Sequence, residues 1–122
     1  MKSNPESVGL KVDKLKDMRL ETVLAADGRP GGKIVIGDSH AHRRLAVRIV
    51  ERIEAATGAR LPVVRADDAS ASRGLLDTHV VALGNMADNP FVRWLYYQWW
   101  AIEDLCYPGE GGYTLRTLHN LL

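Results

Sequence analysis

The stretch from residue 33 to residue 64 constrains the fold more than any other part of the chain. Lys33-Ile34-Val35-Ile36 is a β-branched run that predicts a strand, and Gly37 closes it. Asp38 or Ser39 can then cap a helix predicted to run to about Thr57, with Gly58 placed where a left-handed C-terminal cap belongs. At about 100° per residue, Leu45, Ala46, Ile49, Val50, Ile53 and Ala56 form one apolar stripe suited to lying on a sheet. Leu61-Pro62-Val63-Val64 follows as a strand whose proline favours an edge or a strand start, since proline has no N–H to give a ladder.

The remaining elements are read around this unit. Glu21 to Ala25 is a candidate short strand, joined through Asp27-Gly28 and Pro30-Gly31-Gly32 to the Lys33 strand as a hairpin. A polar loop is expected from Ala66 to about Asp77, then a strand over His79 to Leu83 ended by Gly84-Asn85. Asn89 caps a second helix with Pro90 at its first position, predicted to reach about Leu105. Pro108-Gly109 and Gly111-Gly112 break the chain before a last strand, Tyr113 to Leu118. Strands alternating with helices give an α/β (α+β) fold: a single small mixed sheet with two main helices packed on it. Residues 1–20 are lysine-rich and weakly patterned, and are expected to be a poorly structured lead-in.

Bulk properties exclude several classes. With 122 residues there is room for one domain, and 46% apolar against 25% charged residues is the balance of a folding chain. A net charge of +1 gives no global pull toward nucleic acid or anionic membrane, so neither is expected as a partner. Cys106 is the only cysteine, which rules out an intrachain disulfide and a cysteine-based zinc cluster. Met1 to Val12 has no apolar signal-peptide core and no run approaches a membrane span. As written the chain is expected in the cytoplasm, although a parent protein can be exported.

Aromatic residues are the least evenly distributed feature. All eight lie between Phe91 and Tyr113. If the second helix ran to Leu105, Phe91, Val92, Trp94, Leu95, Trp99, Ile102 and Leu105 would share its core face, interrupted by Gln98. Tyr96, Tyr97 and Trp100 would point outward among Arg93, Glu103 and Asp104, an amphipathic patch for a neighbouring domain, a second copy of the chain, or the face of an oligosaccharide.

Three other patterns bear on chemistry. The turn Gly37-Asp38-Ser39 joins a strand to a helix, and it resembles the Gly-Asp-Ser nucleophile block of a lipase and esterase family. That resemblance would make Ser39 the nucleophile, Asn85 the oxyanion donor and His119 the base. Gly84 and Asn85 are adjacent, where the family has a residue between them, and Arg116 stands where it places an aspartate before the histidine. A serine that simply caps the helix is the competing reading. His40 and His42 stand two apart, which on a helix turns them to different faces, so no metal is expected. Gly37 lacks the companions of a nucleotide-binding loop, so no cofactor is expected either. Arg44, Arg48 and Arg52 form a basic row beside the apolar stripe, partly offset by Glu51 and Glu54 and read as a solvated helix face.

Taken together, a Gly-Arg-Pro turn at residues 28–30, the strand Lys33 to Ile36, the amphipathic helix and Thr57-Gly58-Ala59-Arg60-Leu61-Pro62-Val63 resemble the N-terminal domain that precedes the catalytic barrel in alpha-glucuronidases, beta-hexosaminidases and related glycan-degrading enzymes. Val81-Ala82-Leu83-Gly84 and Gly111 to Thr117 continue the pattern. The resemblance implies a single accessory domain over residues 21–122, non-catalytic, packing on a following catalytic domain. It also implies that the family pattern continues past the Tyr113 strand into another strand and a final helix beyond Leu122, so that the sheet here is expected to lack a strand and keep an open edge.

Overall fold

The computed structural model describes residues 21–119; the proposed lead-in at 1–20 lies outside the described residues. The fold is α/β, with three parallel strands at its centre. β1 (Ala25–Ala26) and β2 (Arg29–Pro30) form a separate antiparallel hairpin, turned by Asp27 (φ 53°) and Gly28 (φ 71°). Two successive left-handed residues are what a two-residue hairpin with a type I′ turn requires. The sequence paired the first strand with the Lys33 run; in the structure the hairpin closes earlier and releases β3 (Gly32–Ile36) into the main sheet.

That sheet has the order β4-β3-β5, where β4 is Val63–Arg65 and β5 is His79–Ala82. Both neighbours run parallel to β3, with Ile34 opposite Val63 on one side and Val81 on the other. Parallel neighbours need long crossovers, which cover the two faces. α1 (His40–Thr57) carries the chain from β3 to β4, and a 3₁₀ segment (Ala69–Asp77) carries it from β4 to β5. α2 (Pro90–Tyr97) follows β5.

Alternation along the strands sorts the core into two halves. Ile34 and Ile36 pack with Ala46 and Val50 of α1 and with Leu61; Val35 packs on the opposite face with Phe91, Val92 and Leu95 of α2 and with Ala66. Leu75 and Leu76 of the 3₁₀ segment, within the stretch read as a polar loop, join the α2 side. The result is three layers, helix, sheet and helix, around β3, whose Ile34 and Val35 are completely buried.

The caps of α1 are the ones the sequence specifies. Ser39 Oγ accepts a hydrogen bond from the His42 N–H at 3.2 Å, and Gly58 adopts φ 77° with its N–H donating to Glu54 O. On the predicted stripe Ala46 and Val50 are buried and Ile49 and Ile53 half-buried, but Leu45 and Ala56 at its margins are exposed. A sheet of three strands is too narrow to cover a stripe that wide.

Two elements depart from expectation. α2 stops at Tyr97 and not at Leu105, and Tyr113 to Leu118 form no strand. The C-terminal segment is instead held by side chains: Thr114 Oγ1 and Arg116 Nε donate to Glu103 Oε1 at 2.9 and 3.1 Å, and Arg116 Nη2 reaches the Trp100 carbonyl at 3.4 Å. Partial burial pushes the Glu103 carboxyl up, but the hydrogen bonds from Thr114 and Arg116 outweigh it, so its pKa lies below the ordinary glutamate value.

Candidate functional site

In sheets of this winding, ligands bind beyond the carboxyl ends of the strands, at the point where the connections diverge to opposite sides. Here that point lies between the loops that follow β3 and β5. Both are occupied by the chain itself. Gly37 sits so close to the loop after β5 that a Cβ on it would lie 1.8 Å from the Asp88 carbonyl oxygen. Asn85 Oδ1 accepts from the Ala87 and Asp88 N–H groups, Asp88 Oδ1 accepts from the Asn85 N–H, and Arg93 ties the loop down through the Met86 and Ala87 carbonyls. The position where such a fold places a ligand is closed by backbone lying on backbone.

Asn89 finishes the closure. It is completely buried; its Oδ1 caps α2 by accepting from the Phe91 N–H at 2.9 Å, while its Nδ2 donates to Val35 O at 3.1 Å and Leu83 O at 2.8 Å. The sequence identifies Asn89 as a cap, but its grip on the ends of β3 and β5 comes from the tertiary fold. His42, half-buried beside this loop, places Nδ1 4.0 Å from Asp88 Oδ2 with no hydrogen-bond partner.

The three residues of the esterase resemblance fall in two places. Ser39 and Asn85 stand on the two loops that meet at this end of the sheet, but the Ser39 hydroxyl oxygen caps α1 and the Asn85 carbonyl is engaged within its own loop. His119 lines a different feature, a groove of about 760 Å³ along β5. β5 is an edge of the sheet, and Phe91, Val92 and Leu95 wall the groove on one side, with residues 114–119 on another. No hydrogen bond among the described residues joins Ser39, Asn85 and His119. His40 is exposed and His42 half-buried, on different sides of the helix. The described residues contain no group of three or more His, Cys, Asp or Glu able to hold a metal, and no helix long and apolar enough to cross a membrane.

The aromatic patch is rearranged by the early end of α2. Gln98 is the C-terminal cap; Trp99 follows with φ 62°, its N–H donating to Tyr96 O, and the Trp100 N–H donates to Leu95 O at 3.0 Å. This pair of bonds is the Schellman arrangement, in which the left-handed position is normally glycine. The reversal exchanges the two indoles. Trp100, expected outside, packs edge-on against Trp94 with centroids 5.6 Å apart and joins the core on the α2 side. Trp99, expected inside, is 93% exposed. Tyr97 remains exposed, as the wheel had it, while Tyr96 is half-buried with its hydroxyl 3.4 Å from Asp104 Oδ2. Gln98, the polar residue that interrupts the expected apolar face, was the one signal in the sequence that the helix ends there.

A left-handed backbone costs an L-residue with a Cβ about 1 to 2 kcal/mol, a cost that glycine avoids. Trp99→Gly is therefore expected to stabilise the isolated chain by about 1 kcal/mol, because an indole this exposed contributes almost no burial to offset the strain. Thermal unfolding followed by far-UV circular dichroism measures it; an unchanged or lower midpoint would mean that Trp99 is held by contacts within the chain.

The outer face of α1 carries a second uneven feature. Arg43, Arg44, Arg48 and Arg52 are exposed and form no ion pair among the described residues, and the first turn of α1 contains no acidic residue. Arginines four apart on a helix repel by about 0.2 to 0.5 kcal/mol per pair, and cations near a helix N-terminus oppose its dipole.

No family model, curated protein or solved structure matches this chain.

Proposed function

We propose that this chain is a non-catalytic accessory domain of a carbohydrate-active enzyme, one that packs against a neighbouring domain through its aromatic C-terminal segment. The observation that carries the packing role is Trp99: a large apolar ring kept 93% exposed on a left-handed backbone that glycine would occupy without strain. Such a ring adds little to the stability of the chain that carries it, and a covering surface would give it a use. Along the chain, most of the exposed large apolar side chains lie from Tyr97 onward, among them Ile102, Leu105, Tyr113 and Leu115. Exposed apolar side chains concentrated in one segment support a face that another protein surface covers.

The closed loop junction supports the non-catalytic part. Where the winding would place a substrate, Asp88 and Asn89 lie on Gly37, and the Ser39 hydroxyl oxygen is engaged by the backbone. The link to glycan-degrading enzymes rests on the resemblance of the stretch from Leu24 to Val64, continued at Val81 to Gly84 and Gly111 to Thr117.

The experiment follows the three indole signals of the isolated chain by NMR while acidic and neutral oligosaccharides are added, together with an ester-hydrolysis assay and binding of a dye that reports apolar surface. The expected result is a dispersed spectrum that ignores sugar, no hydrolysis, and dye binding that weakens in Trp99→Gly. A saturable shift of the Trp99 indole with sugar, lost in Trp99→Ala, would replace this reading with a glycan-binding module. Hydrolysis abolished by Ser39→Ala would replace it with an esterase.

A further inference from the structure

The arginine row of α1 lies in the opposite layer from Trp99, with the sheet between them, and the packing role makes no use of it. Arg44, Arg48 and Arg52 advance along one face of α1 over about 12 Å, the rise of eight residues. The whole chain carries a net charge of only +1, so this concentration of positive charge is local and belongs to no general basicity. Acidic residues stand nearby and offset part of the charge, but no ion pair among the described residues ties one to the row: Glu54 pairs with Arg60 off the end of the helix, and Glu51 pairs with no cation. With α1 lying on the sheet through Ala46 and Val50, no element among the described residues covers the opposite side of the helix.

Beside the arginines the same helix exposes apolar side chains. Leu45 is 42% and Val47 45% exposed, and by the helical angle they flank the row on its two sides. Val63, 40% exposed, stands with Val47, Val50, Leu61 and Pro62 around a shallow depression next to it, which Arg60 also lines.

We infer that the outer face of α1 is a docking surface for an acidic, amphipathic segment of a partner protein, whose carboxylates meet Arg44, Arg48 and Arg52 and whose apolar side chains cover Leu45 and Val47. Charge complementarity selects the acidic partner, and the guanidinium fork matches a carboxylate with two parallel hydrogen bonds. The apolar flanks select protein over nucleic acid. A phosphate backbone gains nothing from leucine and valine, whereas arginine set among apolar side chains is the composition of protein interfaces. Glu51 on the same face works against a uniformly anionic polymer, but a protein segment can present a basic or neutral residue to it.

The inference goes beyond the packing role and stands or falls apart from it, since the two surfaces carry no residue in common. Its test titrates the intact chain into a fluorescein-labelled synthetic helical peptide with Glu and Leu on one face, and reads anisotropy at low and at high salt. A Lys-and-Leu peptide of the same pattern, a DNA duplex and polygalacturonate serve as comparison probes. Saturable binding of the Glu-and-Leu peptide is expected, weakened by salt and weakened roughly tenfold or more in the triple variant Arg44→Glu, Arg48→Glu, Arg52→Glu. Leu45→Ser with Val47→Ser is expected to weaken it about threefold or more, with circular dichroism confirming the fold in both variants. Absence of saturable binding to the Glu-and-Leu peptide overturns the inference. So does binding of DNA or polygalacturonate at equal strength, indifferent to the Leu45 and Val47 changes, which would make the row a general polyanion surface.

Discussion

Replacing Gly37 with alanine is expected to cost about 3 kcal/mol or more, a large part of the stability of a domain this size. The added methyl would lie 1.8 Å from the Asp88 carbonyl oxygen and 2.9 Å from its carbonyl carbon, well inside van der Waals contact. Neither neighbour can move cheaply. Gly37 directly follows β3, whose Ile34, Val35 and Ile36 are the most deeply buried residues of the sheet, and Asp88 directly precedes the buried Asn89. A flexible side chain in that position could rotate aside, but a carbonyl fixed between Asn85 and Asn89 takes its whole loop with it. Thermal unfolding is expected to fall by about 10 °C or more, and Gly74→Ala, where an added Cβ meets nothing within 4 Å, is the control that should change little. A Gly37→Ala protein as stable as the parent would mean that the loops after β3 and β5 are not in contact, and that a crevice is open where the fold could hold a ligand.

The parts of this fold legible in the sequence are those governed by residues near one another in the chain. Ser39 and Gly58 cap α1, and Asn89 with Pro90 opens α2, because a side-chain oxygen or a left-handed glycine acts within a single turn. What the sequence misplaces depends on distant partners. Tyr113 to Leu118 has the β-branched and aromatic content of a strand, yet a strand exists only beside a partner, and Glu103 holds Thr114 and Arg116 with the segment in no ladder. Lys33 to Ile36 is a strand as read, but whether its neighbours are a hairpin or parallel crossovers is not written in its alternation.

The candidate site follows the same division. Tyr97 and the capping Ser39 are where local rules put them, while Trp99 and Trp100 exchange places because a single left-handed residue turns the chain through a direction that no helical wheel contains. The early end of α2 is itself explicable. Continuing the helix would turn Trp100 away from the core, and the reversal at Trp99 sets it against Trp94 with Ala101 buried after it. Burying those two side chains offsets the strain at one residue, and Trp99 is the ring left outside.

Asn89→Asp replaces one atom, yet it is expected to cost about 4 kcal/mol, because it removes both donors from a completely buried group and aims a carboxylate at two carbonyl oxygens. The cap on Phe91 N survives, since aspartate caps a helix as well as asparagine does, so the loss isolates the clamp on Val35 and Leu83 from the cap. Val35 O keeps the Leu83 N–H, whereas Leu83 O loses the Asn89 donor. The damage should depend on pH in a defined direction. A carboxyl held among carbonyls and apolar neighbours has its folded-state pKa raised, so between the unfolded and the folded value the native state binds the extra proton. Stability of the variant then falls as pH rises through that window and partly recovers toward pH 4, where a protonated carboxyl can donate to Leu83 O. Asn89→Ala loses cap and clamp together and should show no added pH dependence. Asn89→Ser, which keeps a capping oxygen and one donor, should fall between the parent and the alanine variant. Chemical denaturation of the three variants at pH 4.5 and 7.5 separates these outcomes. If Asn89→Asp were as stable as the parent at both values, Asn89 would be no more than a helix cap, and the rigid closure of the loops over the end of the sheet would lose its main support.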